Sequence, residues 1–151
     1  MSLKIGDTLP EFTLTDQTGA SFNSASVKGK TAVVIYFYPK NFTPGCNREA
    51  CLFRDSYEDF TDMGVEVIGI SSDSEESHRK FSKRYKLPFT LLSDSKNKVR
   101  RKFGVKKGIL GLLPGRETFV FNKNGELTFK FEALGADPHI KKAIAHLKKS
   151  A

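Results

Sequence analysis

The segment Thr31-Ala-Val-Val-Ile-Tyr-Phe-Tyr38 constrains the fold more than any other part of the chain. It is a run of β-branched and aromatic residues without polar alternation, the pattern of a strand covered on both faces. Such a strand needs one layer of structure above it and another below. It ends at Pro39, and the following Pro/Gly turn carries the first of only two cysteines, Cys46 and Cys51.

From Pro44 to Met63 the period changes from strand to helix. At 100° per residue, Ala50, Phe53, Tyr57 and Phe60 fall within roughly 40° of Cys46, so the thiol shares the stripe expected to face the core. Cys51 lies about 140° away, nearer the polar face that carries Arg48, Asp55 and Asp62. Pro44 suits the first helical turn, and Gly64 suits the end.

The remaining elements read in order from the N-terminus. Phe12 and Leu14 alternate with Thr13 and Thr15, Gln17-Thr-Gly19 forms a turn and Phe22 follows, which predicts a short hairpin. Val65–Ile70 is a second buried strand, and Ser72-Asp-Ser-Glu75 has the form of a capping box for a helix that carries Phe81 and Tyr85 and stops before Pro88. Phe89–Leu92 is a third strand, followed by a short basic helical segment with Val99 and Phe103. A Gly-rich apolar loop over 104–115 precedes Arg116–Phe121 and Glu126–Phe131, which form a hairpin pattern across Asn124-Gly125. Asp137-Pro138 opens a last helix with Ile140, Ala143, Ile144 and Leu147 inward.

Alternating strands and helices in the middle imply parallel pairing, and the late hairpin adds antiparallel strands. The expected class is α/β, with a central mixed sheet flanked by helices and an N-terminal β-hairpin. The 151 residues suit one domain over 1–151, large enough to bury a core without staples. The order of elements around Cys46 fits a thioredoxin-like fold.

Composition removes several function classes. The net charge of +8 is spread over helix faces and the C-terminal tail, with acidic residues among the basic ones, so a solvated basic surface is the better reading than a nucleic-acid partner. No apolar run approaches the ~20 residues that cross a bilayer, so no membrane insertion is expected. Two cysteines with four residues between them, and His78, His139 and His146 distant in sequence, make neither a disulfide framework nor a metal site. The N-terminus lacks the pattern of a secretory signal, and a cytoplasmic location is expected. A mature plastid protein that has lost its transit peptide would look the same.

A thiol in the first turn of a helix faces unpaired backbone N–H groups and the positive end of the macrodipole, both of which favour thiolate. Activation through the pKa alone is worth only a few-fold, because nucleophilicity falls as the pKa falls. A fast cysteine enzyme must also position its substrate and stabilise developing charge. Thr43 offers a hydroxyl, the Thr43-Pro-Gly45 turn offers backbone N–H groups, and Pro39 and Pro44 stiffen the site. Cys51 raises a geometric problem. Five residues along an ideal helix separate two Cα atoms by about 8 to 9 Å, beyond the ~7 Å at which a disulfide closes without backbone movement. Either the two never pair, or the helix start unwinds.

The stretch Pro39-x-x-x-Thr43-x-x-Cys46 resembles the active-site signature of peroxiredoxins, and Cys51 five positions on resembles the Q-type, or bacterioferritin-comigratory-protein, group. Gly6-Asp-x-x-Pro-x-Phe-x-Leu14, Phe53-Arg-Asp-Ser-Tyr57, Leu87–Asp94 and Leu113-Pro-Gly-Arg-x-Thr-Phe119 carry the resemblance along nearly the whole chain. It implies a thiol-dependent peroxidase that reduces hydrogen peroxide and organic hydroperoxides, needs no metal or other cofactor, and acts as a monomer recycled by a thioredoxin-like reductant. Cys46 matches the peroxidatic cysteine and Cys51 the resolving one, which would close an intramolecular disulfide. Thr43 matches the hydroxyl residue at the peroxide, Pro39 the shield of the sulfur, and Gly45 lies in the substrate-binding turn. Arg116 matches the arginine that activates thiolate and peroxide, and Glu49 resembles the carboxylate that orients that arginine.

Two other readings compete. A thioredoxin-like disulfide oxidoreductase normally needs Cys-x-x-Cys, which is absent here. A basic binding or chaperone-like protein would make both thiols incidental. The apolar residues Ile109 to Leu113 are an expected packing segment, with docking of a reductant as the alternative.

Overall fold

The computed structural model describes residues 2–105, 115–133 and 135–150. The strands are β1 (Thr13–Asp16), β2 (Ser21–Asn23), β3 (Ala32–Phe37), β4 (Val65–Ser71), β5 (Thr90–Ser93), β6 (Glu117–Phe121) and β7 (Leu127–Glu132). Among the described residues they form one sheet in the order β2-β1-β5-β4-β3-β6-β7. The helices are α1 (Pro44–Asp55), α2 (Tyr57–Asp62), α3 (Glu75–Tyr85), α4 (Lys98–Phe103) and α5 (Asp137–Ser150).

The two-sided burial expected of the Thr31–Tyr38 run is what the structure shows. On one face Val34, Tyr36 and Tyr38 pack with Cys46, Ala50 and Phe53 of α1 and with residues of α2, α3 and α5. On the other face Val33, Ile35 and Phe37 pack with Val99 and Phe103 of α4 and with Leu9, Phe12 and Val27. β3 pairs parallel with β4, Ile35 against Ile68, and antiparallel with β6, Ile35 against Phe119. The first pairing follows from the helical crossover through α1 and α2. The second brings the segment after residue 115 beside the end of β3, where the cysteine turn begins. The N-terminal hairpin pairs Thr13 with Asn23 and extends the sheet by laying β1 antiparallel on β5.

Three local expectations need correction. The helix expected over Pro44–Met63 is two, divided at Ser56, whose φ of −100° and ψ of 4° leave the helical region. The division is a kink, since Ser56 N–H still donates to Leu52 O at 3.1 Å and Phe60 N–H to Ser56 O at 3.3 Å. The helix after β4 is capped by Ser74, which accepts from Ser77 N–H at 3.1 Å, two residues beyond the Ser72 expected to do so. Arg116 precedes β6 instead of opening it. Most of the apolar loop, 106–114, lies outside the described residues, so Ile109 to Leu113 have no structural account. Among the described residues no helix is long and apolar enough to cross a membrane.

Candidate active site around Cys46

Cys46 is the third residue of α1, and the helical phase that puts Ala50 and Phe53 in the core buries it too, with 2% of its surface exposed. Thr43 is the N-cap residue but makes no side-chain cap bond, so the amides of the first turn keep no partner from the cap. Its hydroxyl instead donates to Lys40 O at 2.8 Å. The lone pairs of Thr43 Oγ1 therefore remain to accept a hydrogen bond from a substrate O–H. Pro39 is half-buried at the end of β3, and Gly45 is exposed at the mouth of the turn.

Arg116 reaches this point from the far side of the β3–β6 ladder. Its Nη2 donates to Cys46 Sγ at 3.5 Å, and its Nη1 donates to Glu49 Oε1. Glu49, one turn beyond Cys46 on α1, is fully buried. Burial lifts its carboxyl to about 8, even though Arg116 pulls it down. Burial alone would lower the Arg116 guanidinium, but Glu49 and the sulfur outweigh that and hold its proton more tightly than usual. The contacts run in a line: carboxyl, guanidinium, sulfur. Gly45 belongs to the same geometry, since a Cβ there would stand 3.0 Å from Arg116 Nη2.

The turn between β3 and α1 is held from below by polar groups that spacing alone does not single out. Tyr38 Oη donates to Asn41 Oδ1 at 2.6 Å, and Asn41 N–H donates to Asp73 Oδ2 at 2.8 Å. His78 Nε2 lies 3.0 Å from Leu92 O, a contact that needs its proton, so Nδ1 accepts from Asn41 Nδ2 at 2.9 Å. These bonds over-determine the loop, and Phe42 beside it sits at φ 64°, a conformation costly for a bulky side chain. Asn41 and His78 are thus buried supports for Thr43, and the distance in sequence between Asn41 and its partners Asp73 and His78 concealed it.

His139, at the start of α5, ties that helix to β6, the strand that follows Arg116. Its Nε2 donates to Ala133 O at 2.9 Å, and its Nδ1 accepts from Thr118 Oγ1 at 2.7 Å. Burial lowers its pKa to about 4, the Ala133 bond opposing and Arg116 adding to the shift. The imidazole is neutral when folded, while in the unfolded chain it takes a proton near pH 6.5. Stability from this group is therefore complete above pH 6.5 and falls by about 3 kcal/mol as the pH drops toward 4. His139→Gln should flatten that part of the pH profile, which urea midpoints at pH 7 and 4.5 would measure.

Cys51 is half-buried on the same unbroken helix, and both cysteines are free thiols. The sequence-expected residues Cys46, Glu49, Gly45 and Arg116 thus converge, with Thr43 at the N-cap of the same helix, while Cys51 stands apart by five helical positions. Arg48, between them, forms an exposed fork to Asp137 of α5, with Nε at 2.5 Å from Oδ1 and Nη2 at 2.7 Å from Oδ2.

Residues 5–130 match the model of the AhpC/TSA family. The chain is 59% identical over 120 residues to a peroxiredoxin Q of Sedum lineare named as chloroplastic; the match covers 80% of this chain and 64% of that relative, so it spans less than two thirds of the relative's length. Its structure superposes on that of peroxidoxin BcpB from Mycobacterium tuberculosis with a TM-score of 0.90, at 36% identity and with 99% of each chain covered. It also superposes on the bacterioferritin comigratory protein of Xanthomonas campestris, solved for its alkyl peroxide reduction activity, with a TM-score of 0.86, 28% identity and coverage of 95% and 99%. The site geometry and the family match agree: the chain belongs to the AhpC/TSA family, and its likeness within that family is to peroxiredoxins of the Q group.

Proposed function

We propose that the chain is a monomeric, thioredoxin-dependent peroxidase for hydrogen peroxide and organic hydroperoxides, in which Cys46 is oxidised and Cys51 resolves it. The observation that carries this reading is the guanidinium of Arg116 at 3.5 Å from Cys46 Sγ, with Glu49 behind it. The thiolate attacks the terminal peroxide oxygen; the O–O bond breaks, an S–O bond forms, and the peroxide proton leaves with the departing alkoxide as an alcohol or water. Sulfur is oxidised by two electrons and the peroxide is reduced by two. Thr43 Oγ1 accepts from the peroxide O–H, while Arg116 and the first-turn amides offset the charge that moves onto the oxygens.

The Cys51 thiol then attacks Cys46 Sγ, the S–O bond breaks, and the oxygen takes the thiol proton and one from solvent to leave as water, closing the disulfide. A dithiol reductant opens it. Because ideal helical geometry forbids that bond, α1 must unwind locally between the two steps. The Arg48–Asp137 fork opposes such unwinding by fastening α1 to α5. Arg48→Ala should therefore leave the first oxidation unchanged and speed disulfide closure by about two- to five-fold, the range expected of one exposed pair. Rapid-quench mass spectrometry of the two oxidised forms would separate the steps.

The relatives named chloroplastic favour the plastid alternative over the cytoplasm. Turnover of a hydroperoxide with dithiothreitol, lost in Cys46→Ser, tests the activity and separates it from a disulfide oxidoreductase. Recycling by thioredoxin is tested by replacing dithiothreitol with thioredoxin and its reductase.

A further inference from the structure

The antiparallel ladder between β3 and β6 ends with Phe37 against Glu117. One more step in that register would set Tyr38 against Arg116, and the next residue is Pro39, which has no amide hydrogen to continue the ladder. From this point two segments diverge, one leading through Pro39 to Thr43 and the other carrying Arg116. The guanidinium of Arg100 stands across the gap. Its Nη1 donates to Gly115 O at 2.7 Å and its Nη2 to Tyr38 O at 2.9 Å.

These are the carbonyls immediately before Arg116 and Pro39. Arg100 is itself fixed: only 6% of it is exposed, its guanidinium carbon lies 5.5 Å from the centre of the Phe37 ring, and Asp94 accepts from its backbone N–H at 2.9 Å. No residue of the reaction described above uses this buried cation, and sequence reading left it unnamed within a short basic helical segment. A guanidinium fork holds two acceptors in a fixed relation, which a single ammonium cannot do.

Resting on the reading that Thr43 and Arg116 act on the peroxide at Cys46, we infer that Arg100 is a positioning residue for peroxide reduction: by clamping Tyr38 O and Gly115 O it sets the gap between the Pro39–Thr43 turn and Arg116. It touches neither substrate nor sulfur. Loss of the clamp lets the two segments part, and a misplacement of about 1 Å in a catalytic group costs up to about a hundred-fold in rate.

The test compares two reactions of Cys46 in the full chain. Reduction of hydrogen peroxide needs Arg116 and Thr43 aligned on the oxygens, whereas alkylation by iodoacetamide, with both rates expressed per thiolate, needs only the ionised sulfur. In Arg100→Lys the second-order rate constant with peroxide should fall by about ten-fold or more, while alkylation stays near the parent rate. Arg100→Met, which leaves both carbonyls unpaired, should be slower still with peroxide. Circular dichroism and thermal midpoints establish that each variant is folded.

Parent peroxide rates in the folded variants would overturn the inference. So would peroxide and alkylation rates that fall in proportion, or failure of both variants to fold, since Arg100 would then serve the fold alone. Arg116→Lys in the same assay keeps the two readings apart. If it is slow with peroxide while the Arg100 variants are fast, only the Arg100 inference fails; if it too reacts at the parent rate, the underlying reading of the site fails.

Discussion

Arg116→Met is expected to slow the reaction of Cys46 with hydrogen peroxide by about 10²- to 10³-fold, the usual cost of removing one donor aimed at developing charge in a dry site. The guanidinium touches both Cys46 Sγ and Glu49, so the substitution also strands a fully buried carboxyl. That carboxyl can shed its charge. Its pKa of about 8 with Arg116 present, against 4.5 for the ordinary side chain, reflects burial. A group raised in this way stabilises the fold fully below pH 4.5 and loses that contribution as the pH rises through its folded value. The variant should therefore lose less stability at pH 6 than at pH 9. Adding Glu49→Gln to it should restore stability at high pH but leave the peroxide reaction slow. Stopped-flow kinetics beside urea midpoints would separate the two effects.

Cys51→Ser is expected to leave the first oxidation at the parent rate and remove thioredoxin-dependent turnover almost completely. Cys46 should then accumulate as a sulfenic acid, which a dimedone adduct would capture, and excess peroxide should carry it on to the sulfinic acid. The reason is geometric. Both thiols sit on α1, and the sulfenic acid formed on the buried stripe has Cys51 as its partner only after the helix opens. A Cys51→Ser protein that turns over normally with thioredoxin would make Cys46 sufficient and leave the unwinding of α1 without a role.

Much of this was legible from residue order. The unbroken apolar run predicted β3, and one helical period placed Cys46, Ala50 and Phe53 on the buried side of α1. The kink at Ser56 was not legible, because the hydrogen bonds through Leu52 and Phe60 persist and the hydrophobic period hardly changes. Arg116 and Glu49 entered through family resemblance, since 67 positions separate them and only the β3–β6 pairing brings them together. Arg100, Asn41 and His78 were not singled out, because each is a polar residue whose partners are mainly backbone groups or side chains from distant elements. Pro39 was the one hint, because a proline at the end of a buried strand leaves the ladder short of a donor.

The central claim is that the two thiols of one helix become one disulfide, and intact mass spectrometry tests it most directly. Reduced protein treated with one equivalent of hydrogen peroxide should lose two hydrogens, stay monomeric and yield a peptide linking Cys46 to Cys51. A persistent gain of one oxygen on Cys46, with Cys51 still free to alkylate, would contradict it.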